Sequence, residues 1–146
     1  MRLSSDLREF LGLLNSVGVE YVIVGAHSLA FHGRPRYTGD LDILVVRSET
    51  NAQKLLEVLN AFGFGGEFEA ADFTTPEQVI QLGRAPHRID LLTSISGVTT
   101  EEASRSKVAA EIDGVPVFLL SKESLIRNKR AAGRPQDLAD IAMLEE

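Results

Sequence analysis

Cysteine is absent from this sequence, so neither a disulfide nor a thiolate metal site can be built from it. Tryptophan is absent too, and aromatic residues make up only 6%. Such a chain offers no base-stacking platform of the kind that holds single-stranded nucleic acid. No apolar run approaches the ~20 residues that a membrane-spanning helix needs. The first residues, MRLSSDLREFLGLL, carry acidic side chains early and lack the apolar stretch of a secretory signal, so a cytoplasmic location is expected. Positive charge is in deficit: 15 Lys and Arg stand against 21 Asp and Glu, a formal net charge of −6. That balance argues against broad nonspecific binding of nucleic acid but leaves room for a local basic cleft. Repeats, low-complexity tracts and linker-like segments are missing as well. With 146 residues, 44% of them hydrophobic, the chain is expected to form one domain, residues 1–146, around a substantial core.

What is present is a regular alternation of periodicities. Leu7, Phe10, Leu11 and Leu14 recur at helical spacing, which predicts an amphipathic helix over Ser5–Val17 closed by Gly18. VEYVIV, Val19–Val24, reads as a short apolar strand, and Ala26–His32 as a short helix ended by Gly33 and Pro35. DLDILVV, Asp40–Val46, is a second strand. A further amphipathic helix runs from about Ser48 to Phe62, with a turn at Gly63–Gly66. EQVIQLG and RIDLLTS are two strands joined by Arg-Ala-Pro-His. TTEEASRSK is a short helix, and AAEIDGVPVFLL a hairpin turning at Asp113-Gly114. Ser121 can cap a helix that runs to Ala132 and stops at Gly133, and Pro135 fits the first turn of a last helix. Helices alternating with strands early and hairpins late predict an α+β or α/β protein, a sheet with helices packed on it.

The anomaly lies in Asp40-Leu41-Asp42. Residues i and i+2 of a strand share a face, so both carboxylates point one way while Leu41 and Ile43 point into core. Two like charges roughly 7 Å apart repel, and a hard divalent cation such as Mg²⁺ between them would reverse the sign of that interaction. The competing reading is a sheet rim with two solvated acids. Gly25 stands between a strand and the start of a helix, where backbone N–H groups and the helix dipole meet an anion, and Ser28 can add a hydroxyl from the first turn; an ordinary tight turn explains the glycine equally well. Asp90 sits among Ile89, Leu91 and Leu92 and needs a partner, either a metal ion or a salt bridge to Arg84 or Arg88.

Gly25-Ala26, a spacer of thirteen residues, then Asp40-Leu41-Asp42-Ile43 resembles the signature of the DNA polymerase β-like nucleotidyltransferase superfamily. That signature is a hydrophobic residue, Gly, Gly or Ser, a spacer, then Asp, a hydrophobic residue, and Asp or Glu. Asp90 stands where the third carboxylate of that superfamily would be. The tail LLSKESLIRNKRAAGRPQDLADIAMLEE is similar to the closing motif of the AbiEii-like nucleotidyltransferases of toxin–antitoxin systems. Together the resemblance spans roughly Val19 to Glu145. It implies a mixed β-sheet flanked by helices, two Mg²⁺ ions held by Asp40, Asp42 and Asp90, and transfer of a nucleoside monophosphate from an NTP to a hydroxyl of RNA or protein. Asp40 and Asp42 would bridge the two ions, and Asp90 would complete the one on the acceptor side. Ala26 departs from the usual Gly or Ser and puts catalytic vigour in question.

Around this centre, Arg34 and Arg36 in HGRPR can pair with phosphate or acceptor oxygens, or simply be solvated. His27 and His32 are better read as structural. Lys129 falls at helical spacing from Leu125 and Ile126 and so points along the packed side of its helix. It either pairs with Asp137 or Asp140 of the next helix or carries its charge to the triphosphate, and the resemblance favours the second use. Two functions follow: a Mg²⁺-dependent nucleotidyltransferase, or a catalytically weak nucleotide-binding regulatory module that acts with a partner protein or as a homo-oligomer. A plain structural domain with solvated acids is the weakest reading.

Overall fold

The computed structural model describes residues 3–33, 39–84 and 87–146. Its elements are α1 (Ser5–Val17), β1 (Tyr21–Val24), α2 (Gly25–His32), β2 (Leu41–Val45), α3 (Glu49–Leu59) with a π-helical continuation (Asn60–Phe64), α4 (Ala71–Thr74), β3 (Val79–Leu82), β4 (Ile89–Leu92), α5 (Thr100–Ser106), β5 (Val108–Ile112), β6 (Val115–Leu119), α6 (Lys122–Ala132) and α7 (Pro135–Leu144). One six-stranded sheet has the order β3-β4-β2-β1-β6-β5. It is mixed: β1 runs parallel to β6, β2 runs parallel to β4, and the remaining neighbours are antiparallel. This is the expected α+β architecture, a mixed sheet flanked by helices.

Most element boundaries follow the sequence pattern, and the differences have physical causes. The first ladder begins at Tyr21 rather than Val19: the N–H of Glu20 donates to Asn51 Oδ1 at 2.7 Å, and its carbonyl accepts both from Asn51 Nδ2 at 3.0 Å and from the Val46 N–H at 3.2 Å. The helix expected to reach Phe62 is regular only to Leu59 and then loosens into the π-helical stretch, where Phe62 meets Phe10 edge-on with centroids 5.0 Å apart. Helix α4 was not signalled, being a single turn anchored by the buried Phe73. At the β5–β6 turn both Asp113 and Gly114 have positive φ (50° and 78°), the geometry that an Asp-Gly hairpin turn requires. Ser4, Ser48, Thr99 and Ser121 each cap a helix through the side-chain oxygen.

Strand alternation divides the core into two clusters on the two faces of the sheet. Tyr21, Ile23, Leu41, Ile43, Val45, Ile89 and Leu91 belong to the larger cluster, with Leu7, Phe10, Leu11 and Leu14 of α1 and Leu55, Val58 and Leu59 of α3. Val22, Val24 and Leu44 belong to the smaller one, with Leu29 of α2, Leu125 of α6 and Leu144 of α7. Asp42, lying between Leu41 and Ile43, projects to the smaller-core side, and this choice of face positions the site. Among the described residues no helix is long and apolar enough to cross a membrane.

Candidate active site

Register brings the acids together. In the sheet Asp42 lies directly opposite Asp90 on β4 and opposite Val24 on β1. Paired residues on neighbouring strands point to the same face, so the Asp42 and Asp90 carboxylates meet side by side. Asp90 is only 8% exposed. Asp40 precedes β2 and remains half-buried. Burial and the neighbouring carboxylates of Asp90 and Asp40 raise the Asp42 carboxyl from the usual 3.8 to about 6, with Arg88 offsetting part of the rise.

Arg88 is the counter-charge. Its Nε donates to Asp90 Oδ1 at 2.8 Å and a terminal nitrogen donates to Asp90 Oδ2 at 3.2 Å. The same guanidinium reaches within 3.8 Å of Asp40 Oδ2, and the Arg88 backbone N–H donates to Asp40 Oδ1 at 3.0 Å. Of the two arginines that could have partnered Asp90, Arg88 does so, two residues away on the approach to β4.

Gly25 opens α2 directly after Val24, the strand neighbour of Asp42. Its φ is +70°, a conformation that residues with a Cβ rarely adopt. A Cβ placed there would overlap Asp42 Oδ2 and come within 3.1 Å of the Cβ and Cγ of Asp42. The glycine therefore clears space for a carboxylate. A tight turn alone would account for the φ but not for this close approach.

A cleft of about 310 Å³ opens beside this contact. Asp42 lines it from the sheet, Gly25 and Ala26 from the start of α2, Lys129 from α6, and Arg134, Gln136, Asp137 and Asp140 from α7. Of its two expected uses, Lys129 shows the pairing with the next helix. It lies on the packed side, 13% exposed, with its Nζ 2.9 Å from Asp140 and 3.5 Å from Asp137, and it also faces the cleft. Arg134 forks onto Asp137 at 2.6 and 3.2 Å, and hydrogen bonding from Arg134 is the main reason that the Asp137 carboxyl falls to about 2. Gln136 donates to Asp140 at 3.0 Å. Sequence reasoning named Asp137 and Asp140 as partners of Lys129 but singled out neither Arg134 nor Gln136. The signal was the Arg134-Pro135-Gln136-Asp137 spacing, which puts an acid at the third position of a helix where it can reach back.

The remaining candidates lie elsewhere. Ser28 is fully buried and its hydroxyl donates to the carbonyl of Leu120 at 3.4 Å, so in this arrangement it is engaged in packing and not offered to a phosphate. His32 donates from Nε2 to the same carbonyl at 2.6 Å, a structural use as expected. Arg34 and Arg36 lie outside the described residues. His27, read as structural, is 2% exposed and stands against the backbone of Asp40; burial lowers its pKa, with Asp40 offsetting part of the shift.

The donor set suits a hard cation: three carboxylates and no soft ligand, with one carboxyl raised to about 6 by burial and by its acidic neighbours. Among the described residues no three such side chains already stand as a finished ligand cage; Arg88 draws two of them to itself.

A family model and several solved structures match this chain. A family model described as "nucleotidyl transferase of unknown function" (DUF2204) matches residues 3–146. In solved structures, a protein of Thermotoga maritima designated a nucleotidyltransferase is 20% identical over 93% of this chain and 88% of its own, with a TM-score of 0.61. An antigenic nucleotidyltransferase-like protein of Paracoccidioides brasiliensis is 17% identical over 97% of this chain and 77% of its own, at TM-score 0.55. The antibiotic-resistance factor ANT(2″)-Ia, solved with adenylyl-2″-tobramycin, is 13% identical over 94% of this chain and 84% of its own, at TM-score 0.57. At these identities the likeness is one of fold. No functionally curated protein matches the chain in sequence. The family match covers all but two residues of the sequence, and the chain belongs to the DUF2204 family of nucleotidyltransferases, enzymes that transfer nucleotidyl groups.

Proposed function

We propose that this enzyme is a Mg²⁺-dependent nucleotidyltransferase that moves a nucleoside monophosphate from an NTP to a hydroxyl of RNA or protein. The observation that carries the reading is the apposition of Asp42 and Asp90 across the β2–β4 ladder, with Gly25 clearing room for the Asp42 carboxylate. Asp40, Asp42 and Asp90 would hold the divalent ions, which supply charge neutralisation at the phosphates and a more nucleophilic acceptor hydroxyl. In the transfer, the acceptor oxygen bonds to the α-phosphorus while the bond to the bridging oxygen breaks, and pyrophosphate leaves with that electron pair. Gly25 and Ala26 offer backbone to the triphosphate at the start of α2. Lys129, held by Asp137 and Asp140 at the cleft edge, offers a point charge to its oxygens. Arg34 and Arg36, next to Asp40 in sequence, are kept as further phosphate or acceptor contacts.

The resemblance of the tail to AbiEii-like enzymes supports a toxin–antitoxin or phage-defence setting, in which a partner protein or a second copy would present the acceptor. One observation favours a second reading, a weakly active or inactive nucleotide-binding module: neither Ala26 nor the buried Ser28 presents a hydroxyl to a phosphate. The test is incubation with each α-labelled NTP, Mg²⁺, and separate RNA, protein and small-molecule fractions. Label on an RNA or protein fraction, abolished by Asp42→Asn, supports the transferase. Label on the small-molecule fraction alone assigns a different acceptor, and nucleotide binding without any transfer selects the regulatory module.

A further inference from the structure

Arg88 does more than balance charge. Both oxygens of Asp90 accept from its guanidinium, at 2.8 and 3.2 Å. One guanidinium nitrogen lies 3.8 Å from Asp40, so a single side chain draws on two of the three candidate metal-holding carboxylates. Asp42, between them, takes no hydrogen bond from it. A divalent ion needs carboxylate lone pairs directed at it, and each oxygen of Asp90 already gives one lone pair to the guanidinium. Two cations within a few ångströms also repel strongly in a partly buried site. The planar fork matches a carboxylate in a way a point charge does not, and with Asp90 8% exposed, water competes for it poorly.

We infer that Arg88 is a resident counter-cation that competes with the divalent ion for Asp90 and Asp40, and that the site loads only when this guanidinium lets Asp90 go. The inference rests on the metal-dependent reading above. Arg88 is thereby a positioning residue that sets the divalent affinity of the free enzyme low. Metal would then be retained chiefly when a nucleotide brings further ligands, so that the empty enzyme does not hold an ion in a cleft with no substrate. A residue that merely orients Asp90 for the ion would act with the opposite sign, since its loss would weaken metal binding.

The experiment titrates Mn²⁺ alone, without nucleotide, into the full chain and reads free Mn²⁺ by electron paramagnetic resonance. Arg88→Gln should bind Mn²⁺ roughly tenfold or more tightly than native, because the competing charge is gone. Arg88→Lys keeps a charge but not the fork and should gain a smaller factor, about two- to fivefold. It serves as the readout if the glutamine variant fails to fold by circular dichroism. Equal or weaker Mn²⁺ binding in the folded variants overturns the inference while leaving the metal reading intact. If neither native nor Arg88 variants bind Mn²⁺ better than Asp42→Asn does, the metal reading itself fails and takes the inference with it.

Discussion

Replacing Asp42 by Asn should make the metal-free protein more stable, not less. Asp42 is the carboxyl that burial and its acidic neighbours raise from 3.8 to about 6, so the folded chain binds its proton more tightly than the unfolded chain does. Stability therefore falls as pH rises through that window; the penalty is nearly absent below pH 3.8 and complete above about 6. A rise of that size corresponds to about 3 kcal/mol. Asp42 is partly open to the cleft, and screening reduces the figure to about 1–2 kcal/mol. Asn removes the charge at nearly constant shape and can donate to Asp90, which relieves the same repulsion. The variant should thus melt roughly 3–8 °C above native at pH 8. The two should nearly coincide at pH 4, with the gap opening between pH 4 and 6.5 and flat beyond. Scanning calorimetry of both chains in metal-free buffer across that range is the assay. A variant that melts at or below native at pH 8, or a gap that ignores pH, would refute the view that Asp42 is held against its own electrostatics.

Two other substitutions probe the walls of the cleft. Gly25→Ala should cost at least about 1–2 kcal/mol from its left-handed backbone alone and abolish transfer by displacing Asp42. Because part of the damage is the collision with that carboxylate, the loss measured by denaturation should shrink when Asp42 is also Ala; a strictly additive double-mutant cycle would reduce Gly25 to an ordinary turn glycine. Lys129→Met removes an ammonium shared by two buried acids. Arg134 continues to neutralise Asp137, so the cost falls mainly on Asp140 and should be roughly 1–3 kcal/mol, below that of a fully orphaned buried charge. An unchanged melting temperature with nucleotide binding lost would make Lys129 purely a phosphate ligand.

The fold was legible because its periodicities are clean. The helical spacing in α1 and α3, the apolar runs of β1 and β2 and the Asp-Gly turn each reflect a local rule that tertiary packing did not override. The boundaries that moved did so where a distant side chain satisfied the backbone, as Asn51 does for Glu20; no local pattern carries that information. At the site, Asp40, Asp42 and Asp90 stood out because a carboxylate inside an apolar strand is costly unless partnered. What sequence could not supply was register: only the parallel β2–β4 pairing, with 43 residues between them to be folded away, sets Asp42 against Asp90. Ser28 misled because a hydroxyl one turn into a helix can face either way, and here it faces the carbonyl of Leu120.

The charges around the cleft fix what it can hold. On the sheet side, among the described residues, Asp42 lines the cleft and Arg88 behind it pairs with Asp90 and approaches Asp40. On the helix side, Lys129 and Arg134 are matched by Asp137 and Asp140. Among the described residues, the cleft is therefore negative when Asp42 is ionised, and its helix wall is close to neutral. An NTP carries about four negative charges near neutral pH, and placing it against such walls is unfavourable by simple Coulomb repulsion. The lysine cannot reverse this, since its charge is already shared by two acids. On the metal-dependent reading the nucleotide brings positive charge with it, and NTP affinity is then conditional on a divalent ion. Calorimetric titration of each NTP into the native chain should show saturable binding with Mg²⁺ and, at the same ionic strength, at least about tenfold weaker binding with the ion chelated. Equal affinity in both would mean that some other cationic surface receives the triphosphate, and the acids of β2 and β4 would then have to be explained without it.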